Sequence, residues 1–381
     1  MSFRMRFWRF STAFLLALVA IASSVEQGRA DEIRLDALKI PAVISGSSGP
    51  ESVGLEAIVL RPDDERPHPL AVLNHGSPRN PGDRPTMSPY SMWAQAVAFA
   101  RRGWVAVAFL RRGYGRSEGE WAETYGSCSN PDYARAGRAG AEDIAAVAKY
   151  MATQPYVGKG KWISVGVSAG GFATVALTAD PPHDLAAALS FAPGRGSTTP
   201  DTVCGEKQLT SAFAGFGRTS RIPLLWVSAE NDHFFGPRLT SQFTSAFSNA
   251  GGHVTFVKAP PFGTDGHQLF STASGIPIWS PIVDRFLTSN SLVLRDRLID
   301  VPAPNVAAPS SLKSNGREAF RTYLDSGPNK AFAVAAGDSR FGWAKGRRTI
   351  EEARRDALGL CASGANAKCA VVNANNKPVD Y

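Results

Sequence analysis

The chain has 381 residues, 44% hydrophobic and 19% charged, which is typical of a folded globular protein and excludes a largely disordered one. Its formal net charge of +8 lies at the two ends: residues 1–30 hold four Arg against one Glu, and residues 311–381 hold twelve Lys and Arg against seven Asp and Glu. Because the ends account for the excess, the middle of the chain is near neutral. The basic overall charge therefore predicts no nucleic-acid partner.

The first residues have the pattern of a secretory signal peptide. Three arginines precede a ten-residue apolar core at 13–22, and Gly28-Arg29-Ala30 offers small residues at the −3 and −1 positions of a cleavage site. The core is short for a membrane span, so an uncleaved anchor is the less favoured interpretation. We predict a signal peptide over residues 1–30 and a periplasmic or secreted mature chain with no transmembrane segment.

Strand and helix patterns alternate over residues 55–288, which predicts an α/β fold with a mostly parallel sheet and helices on both faces. Two alternating stretches, residues 32–43 and 53–60, predict an antiparallel hairpin at the sheet edge. The further predicted strands are 70–74, 104–110, 185–191, 222–228 and 253–258, and the predicted helices are 92–102, 138–153, 237–250 and 281–288. Residues 194–221 form a Gly-, Ser- and Thr-rich insertion with a short helix at 207–216, placed where a lid over a pocket would lie.

Residues 162–171 predict a strand, a sharp turn and a helix, with Gly166-Val167-Ser168-Ala169-Gly170 at the turn. Small residues are needed there because the strand and the helix crowd the serine. The Ser168 hydroxyl would project from the carboxyl end of the sheet, and the backbone N–H of Ala169 would be free to bind an oxyanion. The five-residue motif is weak by itself, and an ordinary Gly/Ser turn is the alternative, but the flanking patterns favour a nucleophile.

Two further loops carry groups that could activate this serine. The carboxyl ends of parallel strands meet at one edge of a sheet, and Asp232 and His267 follow two of the later strands. A serine needs a base to take its proton, imidazole is suited to that task near neutral pH, and a carboxylate orients the imidazole. We predict Ser168 as nucleophile, His267 as base and Asp232 as acid.

Other acidic residues and histidines near these loops are less suited to the roles of acid and base. Glu230 is a rival acid, but it follows its strand too closely to reach across the site. Asp265 fits a turn residue that binds the loop backbone. His233 adjoins the acid and precedes the last strand, and His75 precedes the nucleophile and is interpreted as structural.

The turn His75-Gly76-Ser77-Pro78 follows the buried strand 70–74. It is the position from which a second oxyanion donor would come, and we predict the backbone N–H of Ser77 as that donor beside Ala169. Arg111 and Arg112 follow the next strand and could bind an anionic substrate. Structural pairing with carboxylates and carbonyl oxygens is the favoured interpretation of these two arginines.

The four cysteines are even in number and fall as two pairs along the chain, which fits an oxidising compartment. Four cysteines allow three pairings, and free buried thiols are the alternative. The predicted disulfides are Cys128–Cys204 and Cys361–Cys369. No cysteine or histidine spacing matches a zinc site, so no metal is predicted.

A Pro-, Ala- and Ser-rich stretch predicts a linker at residues 301–312 between a main domain, 31–300, and a small basic α+β domain, 313–381. The small domain is predicted to hold a hairpin around Gly337-Asp338, a helix opened by a capping box at Thr349 and a last strand. Its clustered arginines could bind an anionic envelope polymer, although a solvated helix face is favoured. The domain resembles small uncharacterised modules of secreted bacterial proteins, which implies no activity.

The motifs at residues 75–77, 166–170, 230–232 and 263–267 resemble those of the α/β-hydrolase superfamily, and the resemblance covers roughly residues 50–290. Within it, the chain is similar to dienelactone-hydrolase-related esterases and, to a lesser degree, to the catalytic domains of prolyl-oligopeptidase-type peptidases. This implies the α/β-hydrolase fold and the triad roles given above. Dienelactone hydrolases have a cysteine nucleophile where this chain has Ser168, so a general serine carboxylesterase is implied.

We therefore predict a serine hydrolase that cleaves a small-molecule carboxylic ester through an acyl-enzyme, without a cofactor. A serine peptidase of prolyl-oligopeptidase type is one alternative. The other is an envelope-binding protein whose hydrolase domain is not catalytic, although a complete Ser-Asp-His set argues against it.

Overall fold

The computed structural model describes residues 32–46, 49–336, 339–363 and 368–379. In these ranges the chain forms an eight-stranded sheet, a four-stranded sheet and a two-stranded hairpin. The predicted signal peptide and the predicted hairpin turn Gly337-Asp338 lie outside the described residues. Within those ranges, no helix has the length and apolar character needed to cross a bilayer.

The first ten strands of the chain supply the large sheet and the separate hairpin. They are β1 (Ile33–Gly46), β2 (Gly49–Pro62), β3 (Leu70–Asn74), β4 (Val105–Phe109), β5 (Trp162–Val167), β6 (Leu185–Phe191), β7 (Ser197–Thr199), β8 (Thr202–Val203), β9 (Leu224–Ala229) and β10 (Val254–Ala259). The large sheet has the order β1-β2-β4-β3-β5-β6-β9-β10, and β7 pairs with β8. β2 runs antiparallel to β1 and β4, and the remaining neighbours are parallel. The predicted mostly parallel sheet with an antiparallel edge hairpin is confirmed.

Six helices cover both faces of this sheet, because alternate side chains of a buried strand point to opposite sides. They are α1 (Trp93–Ala100), α2 (Tyr133–Met151), α3 (Ala169–Leu177), α4 (Glu206–Gly217), α5 (Pro237–Asn249) and α6 (Ile276–Ser289). On one face α1 and α6 meet Leu73 of β3 through Phe99 and Trp279. On the other, α2 to α5 pack with Val72 around Phe172. The loops beyond the carboxyl ends of the strands are then the expected place for a site.

Two helices begin earlier than predicted. α2 begins at Tyr133 rather than Arg138, because the Asp132 side chain caps it by accepting a hydrogen bond from the backbone N–H of Arg135 at 2.9 Å. α6 begins at Ile276 with a proline in its first turn, whereas the sequence predicted a start at Pro281, which lies inside the helix. A proline is tolerated early in a helix because the first turn needs no backbone N–H.

The segment predicted as a lid, residues 194–221, is divided between two roles. α4 buries Leu209 and Phe213 in the core and packs against α2, α3 and α5. This helix therefore belongs to the helical layer, and the lid prediction does not hold for it. Only residues 194–197, at the start of the segment, line the cleft described below.

The second sheet is antiparallel and lies between two helices. Its elements are α7 (Ser314–Leu324), β11 (Ala331–Ala335), β12 (Phe341–Ala344), α8 (Ile350–Ala362), β13 (Cys369–Ala374) and β14 (Lys377–Pro378), with strand order β12-β11-β13-β14. α7 packs on the face that carries Phe332, and α8 packs on the opposite face, around Ala333. The hairpin, α8 with its Thr349 cap, and β13 agree with the sequence pattern, whereas α7 was not predicted.

An arginine that precedes α8 connects the four-stranded sheet and its helices to the eight-stranded sheet. Arg348 donates to both carboxylate oxygens of Glu56 on β2, at 2.6 and 2.8 Å, and to the carbonyl oxygen of Met87. Arg116 adds a contact with Glu352 at 3.0 Å. The predicted basic cluster is thus partly occupied by contacts within the chain.

Both predicted disulfides are present. Cys128–Cys204 ties the loop before α2 to the segment between β8 and α4, and Cys361–Cys369 ties α8 to β13. The first bond fixes the end of the β7–β8 hairpin to the body of the protein, and the second closes the small sheet against its helix.

Candidate active site

The turn between β5 and α3 holds Ser168 in a strained backbone conformation, with φ 55° and ψ −120°. A non-glycine residue adopts a positive φ only when its surroundings enforce it. Here the Ser168 N–H donates to the Phe191 carbonyl at 2.9 Å, and the Ser168 carbonyl accepts from Phe172 at 2.8 Å and from Gly194 at 3.2 Å. A Cβ on Gly170 would overlap the carbonyl groups of residues 74 and 75, so the turn requires glycine there. The strand, sharp turn and helix predicted around Ser168 are therefore present.

Asp232 and His267 meet beyond the ends of β9 and β10. The Nδ1 atom of His267 lies 3.1 Å from Asp232 Oδ2 and 3.2 Å from Oδ1. Asp232 Oδ1 also accepts from the backbone N–H groups of Phe234, at 2.7 Å, and Phe235, at 2.9 Å. Burial acts to raise the pKa of Asp232, but His267 and the two N–H groups outweigh burial, so this pKa lies below its ordinary value. The carboxylate is therefore ionised and able to orient the imidazole.

Ser168 and His267 are connected through the two phenylalanines that follow Asp232. The Ser168 side chain lines a small cleft together with Phe234 and Phe235. The His267 ring stacks on Phe234 at 3.8 Å between centroids and contacts Phe235 edge-on at 5.7 Å. Among the described residues, Ser168 and His267 are not joined by a hydrogen bond, and such contacts often tighten only in a substrate complex.

The alternative acids and bases have other roles in the structure. Glu230 pairs with Lys258 at the surface, at 2.7 Å. The Asp265 carboxylate accepts from the backbone N–H groups of His267 and His233, each at 3.0 Å, and so shapes the loop as a turn residue. His233 pairs with Asp201, whose hydrogen bond raises the pKa of His233.

His75 is buried and structural, as predicted. Its Nε2 accepts from the Arg111 backbone N–H at 3.1 Å, so the proton is assigned to Nδ1, which donates to the Gly76 carbonyl at 2.6 Å. Burial and then the positive charge of Arg111 lower the pKa of His75 to about 3. A neutral histidine with both nitrogens occupied holds the turn in place and is not available as a base.

The turn that His75 supports brings Ser77 close to Ser168. A Cβ on Gly76 would lie 3.1 Å from Ser168 Cβ, and Ser77 and Ala169 line the cleft with Ser168. Within the described ranges, the backbone N–H groups of Ser77 and Ala169 have no acceptor. Two unpaired N–H groups beside one hydroxyl are the arrangement that an oxyanion needs.

Arg111 and Arg112 have the structural roles that the sequence favoured. Arg112 donates to Asp143 and to Glu142, the latter at 2.6 Å. Arg111 donates to Glu123 and, at 2.8 Å, to the His75 carbonyl. The anion-binding interpretation of these two arginines is therefore not supported.

A buried ion cluster behind the cleft was not predicted. Glu123 is buried and pairs with Arg111 and with Arg195, and its Oε2 lies 3.2 Å from the Tyr114 hydroxyl. Burial acts to raise the pKa of Glu123, but the two arginines outweigh it and lower this pKa to about 2. The Tyr114 hydroxyl lies 3.0 Å from Ser77 Oγ, so the cluster also supports the turn that carries Ser77.

A sequence profile of the family described as X-Pro dipeptidyl-peptidase (S15 family) matches residues 51–245, which is just over half of the 381 residues. The chain belongs to this family. The matched range contains Ser168 and Asp232 and ends before His267. S15 membership makes the protein a serine hydrolase of the α/β-hydrolase superfamily, so the predicted superfamily and fold class are confirmed.

Solved structures similar to this S15 member include proteins named as esterases and as peptidases. An esterase of Pyrococcus furiosus has 13% identity and a TM-score of 0.46 over 67% of this chain and 93% of its own. A protein of Klebsiella pneumoniae proposed to be a dienelactone hydrolase has 14% identity and a TM-score of 0.43, over 67% and 98%. The acylaminoacyl peptidase of Pyrococcus horikoshii has 13% identity and a TM-score of 0.48, over 71% and 43%. No curated protein sequence matches the chain.

Proposed function

We propose that this protein is a serine carboxylesterase with Ser168 as nucleophile, His267 as general base and Asp232 as the orienting acid. The observation that carries the proposal is the Asp232–His267 pair beside a cleft that also holds Ser168 and two unpaired backbone N–H groups. Its S15 membership and α/β-hydrolase fold support hydrolysis at such a site.

Acylation follows from this arrangement. The Ser168 oxygen adds to the ester carbonyl carbon while Nε2 of His267 takes the hydroxyl proton, and Asp232 stabilises the resulting imidazolium. The backbone N–H groups of Ser77 and Ala169 bind the oxyanion, a contribution of about 3–4 kcal/mol for each donor. Collapse of the intermediate breaks the bond to the alcohol, which leaves with the proton from His267.

Deacylation repeats these roles with water as the nucleophile. His267 takes a proton from the water as its oxygen adds to the acyl carbon, and the same N–H groups bind the second oxyanion. When this intermediate collapses, Ser168 leaves with the proton held by His267, and the carboxylic acid is released.

We further propose that residues 1–30 are a signal peptide and that the mature chain works in the periplasm or outside the cell. The two disulfides support an oxidising compartment. We propose a hydrolase domain at 31–300, a linker at 301–312 and a small domain at 313–381. The separate sheets and cores of the two parts support this division.

Hydrolysis of 4-nitrophenyl acyl esters by the purified protein tests the proposal. Ser168→Ala is expected to lower kcat by at least about 10⁴-fold, and Asp232→Asn by about 10³–10⁴-fold, because the imidazole loses its tautomer control. Ser245→Ala, an exposed serine on α5, is the matched control and should retain wild-type activity. Ester turnover that survives Ser168→Ala would contradict the proposal.

A dipeptidyl-peptidase activity is the second candidate, and the family match favours it. Glycyl-prolyl-4-nitroanilide, assayed beside the esters, separates the two functions. An efficiency toward this amide equal to or above that toward the esters would replace the esterase assignment, and both activities share the same dependence on Ser168.

A further inference from the structure

The cleft at Ser168 is lined by positive charge. Three arginines line it, Arg79, Arg84 and Arg195, and none of its lining residues is an aspartate or glutamate. Arg195 shares the buried Glu123 with Arg111, so these three groups together still carry one net positive charge. The other two arginines add to it.

Arg79 is placed by an aromatic ring and by neutral acceptors. Its guanidinium carbon lies 3.4 Å from the centroid of Phe234. Its nitrogens donate to Ser197 Oγ, at 3.0 and 3.2 Å, and to the His233 carbonyl, at 3.0 Å. Among the described residues no carboxylate pairs with it, so its charge is held at the cleft without a counter-ion.

Arg84 is held in a similar way on the other wall. Its guanidinium carbon lies 3.7 Å from the centroid of Trp121, and its Nε donates to the Pro81 carbonyl at 3.3 Å. In the described part of the chain it forms no ion pair with a carboxylate. A guanidinium stacked on an aromatic face keeps its in-plane N–H groups available for a planar acceptor.

The acidic residues around the cleft already have partners. Asp83 accepts from the Asn80 side chain at 3.1 Å, and Asp201 pairs with His233 at 3.0 Å. Asp265 binds backbone N–H groups, as described above. Among the described residues, none of these carboxylates forms an ion pair with Arg79 or Arg84.

We propose that the substrate of this cleft carries a negatively charged carboxylate, bound by Arg79 and Arg84, beside the ester that Ser168 attacks. The proposal rests on the esterase function proposed above. A carboxylate accepts two parallel hydrogen bonds from one guanidinium, which matches both charge and shape. The cleft measures about 110 Å³ and is partly open to solvent, so it has room for a small charged group beside the ester.

The same charges disfavour the opposite kind of substrate. A peptide whose N-terminal dipeptide is to be released carries an ammonium group close to the bond that is cut. No acidic residue lines the cleft to receive that ammonium, and three guanidinium groups repel it. The cleft is therefore better matched to an anionic ester than to an N-terminal dipeptide.

Three esters of equal length but different charge test this inference: 4-nitrophenyl hexanoate, mono-4-nitrophenyl adipate and 4-nitrophenyl 6-aminohexanoate. We expect kcat/KM to be at least about tenfold higher for the adipate than for the hexanoate, and lowest for the cationic ester. Arg79→Gln and Arg84→Gln should each lower the adipate-to-hexanoate ratio by about tenfold, and Arg84→Lys should restore part of it. Arg285→Gln, an exposed arginine on α6, should leave the ratio unchanged.

A binding measurement separates a failure of this inference from a failure of the proposed function. Titration calorimetry of Ser168→Ala with the adipate and hexanoate esters reports charge selectivity without turnover. Tighter binding of the adipate, weakened by Arg84→Gln, supports the inference even if neither ester is hydrolysed by the wild-type protein. Hydrolysis of the hexanoate at least as efficient as that of the adipate, or equal binding of the two, would overturn the inference and leave the esterase function standing.

Discussion

Glu123 is one carboxylate that serves two buried guanidinium groups. It pairs with Arg111, whose other donor holds the carbonyl of His75, and with Arg195 on the cleft wall. Its contacts link the turn at His75 to the cleft at Ser168, although among the described residues it contacts neither Ser168 nor His267. Because its pKa is held at about 2, below the ordinary 4.5, its ionised form stabilises the folded state.

The Glu123→Gln substitution should lower the free energy of unfolding at pH 7 by about 3–5 kcal/mol, because two buried arginines lose their counter-ion. A carboxylate with a lowered folded-state pKa stabilises fully above its unfolded value of 4.5 and loses that effect as pH falls toward 2. The wild-type protein should therefore lose more stability than the variant over this range. Urea unfolding from pH 7 to pH 2.5 measures it, with the exposed Glu318→Gln as control. Parallel pH curves for wild type and Glu123→Gln would contradict this account.

Ser168, Asp232 and His267 could be predicted because each follows a strand within a short local pattern. Glu123 and Arg195 could not, since their pairing joins residues 72 apart in sequence and becomes visible only when the loops meet. Arg79 and Arg84 carried no local signal either. These two arginines stand out because, among the described residues, neither pairs with a carboxylate and each stacks on a ring, Phe234 or Trp121. Both features arise only from the tertiary structure.

The elbow between β5 and α3 depends on close approach of backbones. A Cβ at position 170 would overlap the carbonyl groups at the end of β3, whereas a Cβ on Gly215 in α4 would meet no atom within 4 Å. A side chain would therefore clash at position 170 but would be accommodated at position 215. Packing requires glycine at position 170. At position 215, glycine lowers the stability of the helix because it loses more backbone entropy on folding than alanine would.

Gly170→Ala should lower the free energy of unfolding by at least about 2 kcal/mol, because the added methyl forces β3 and α3 apart. The same change at Gly215 should raise it by about 0.5–1 kcal/mol. Urea denaturation of the two variants beside the wild type compares them directly. If the two substitutions changed stability equally, the close approach at the elbow would not be limiting.

The accuracy of two helix predictions in the second part of the chain depended on the start signal. α8 begins after Thr349, whose hydroxyl accepts from the Glu352 N–H at 3.2 Å. α7 begins after Lys313, where no side chain caps the helix, and it was missed. The predicted start of α2 lay five residues too far along the chain, because its capping residue, Asp132, follows a proline and resembles a loop residue.

The two sheets are held together through Arg348, which reaches Glu56 and the Met87 carbonyl from the start of the last helix. Alternation of strands and helices predicted a parallel sheet, but it could not give the strand order or show that Glu56 on β2 receives this arginine. That pair joins residues 292 apart in sequence. Local patterns contain no information on such a contact.

Arg348→Ala should weaken the docking of the small domain, because a half-buried carboxylate and a carbonyl lose their donor. A double-mutant cycle with Glu56→Gln should give a coupling energy of about 1–2 kcal/mol in urea unfolding. Arg347→Ala is the matched control, since Arg347 pairs with Asp356 inside the small domain. Faster protease cleavage within residues 301–312 in the Arg348 variant alone would agree with this role, and a coupling energy near zero would contradict it.

The Cys128–Cys204 bond makes the finished cleft dependent on the redox state of its surroundings. The hairpin whose Ser197 accepts from Arg79 is tethered to the loop before α2 through Cys204. In a reducing cytoplasm, thiols stay unpaired and this tether is missing. In a chain retained there, the hairpin that positions Arg79 would lack this covalent attachment, so the charge selectivity proposed above is expected to depend on oxidation.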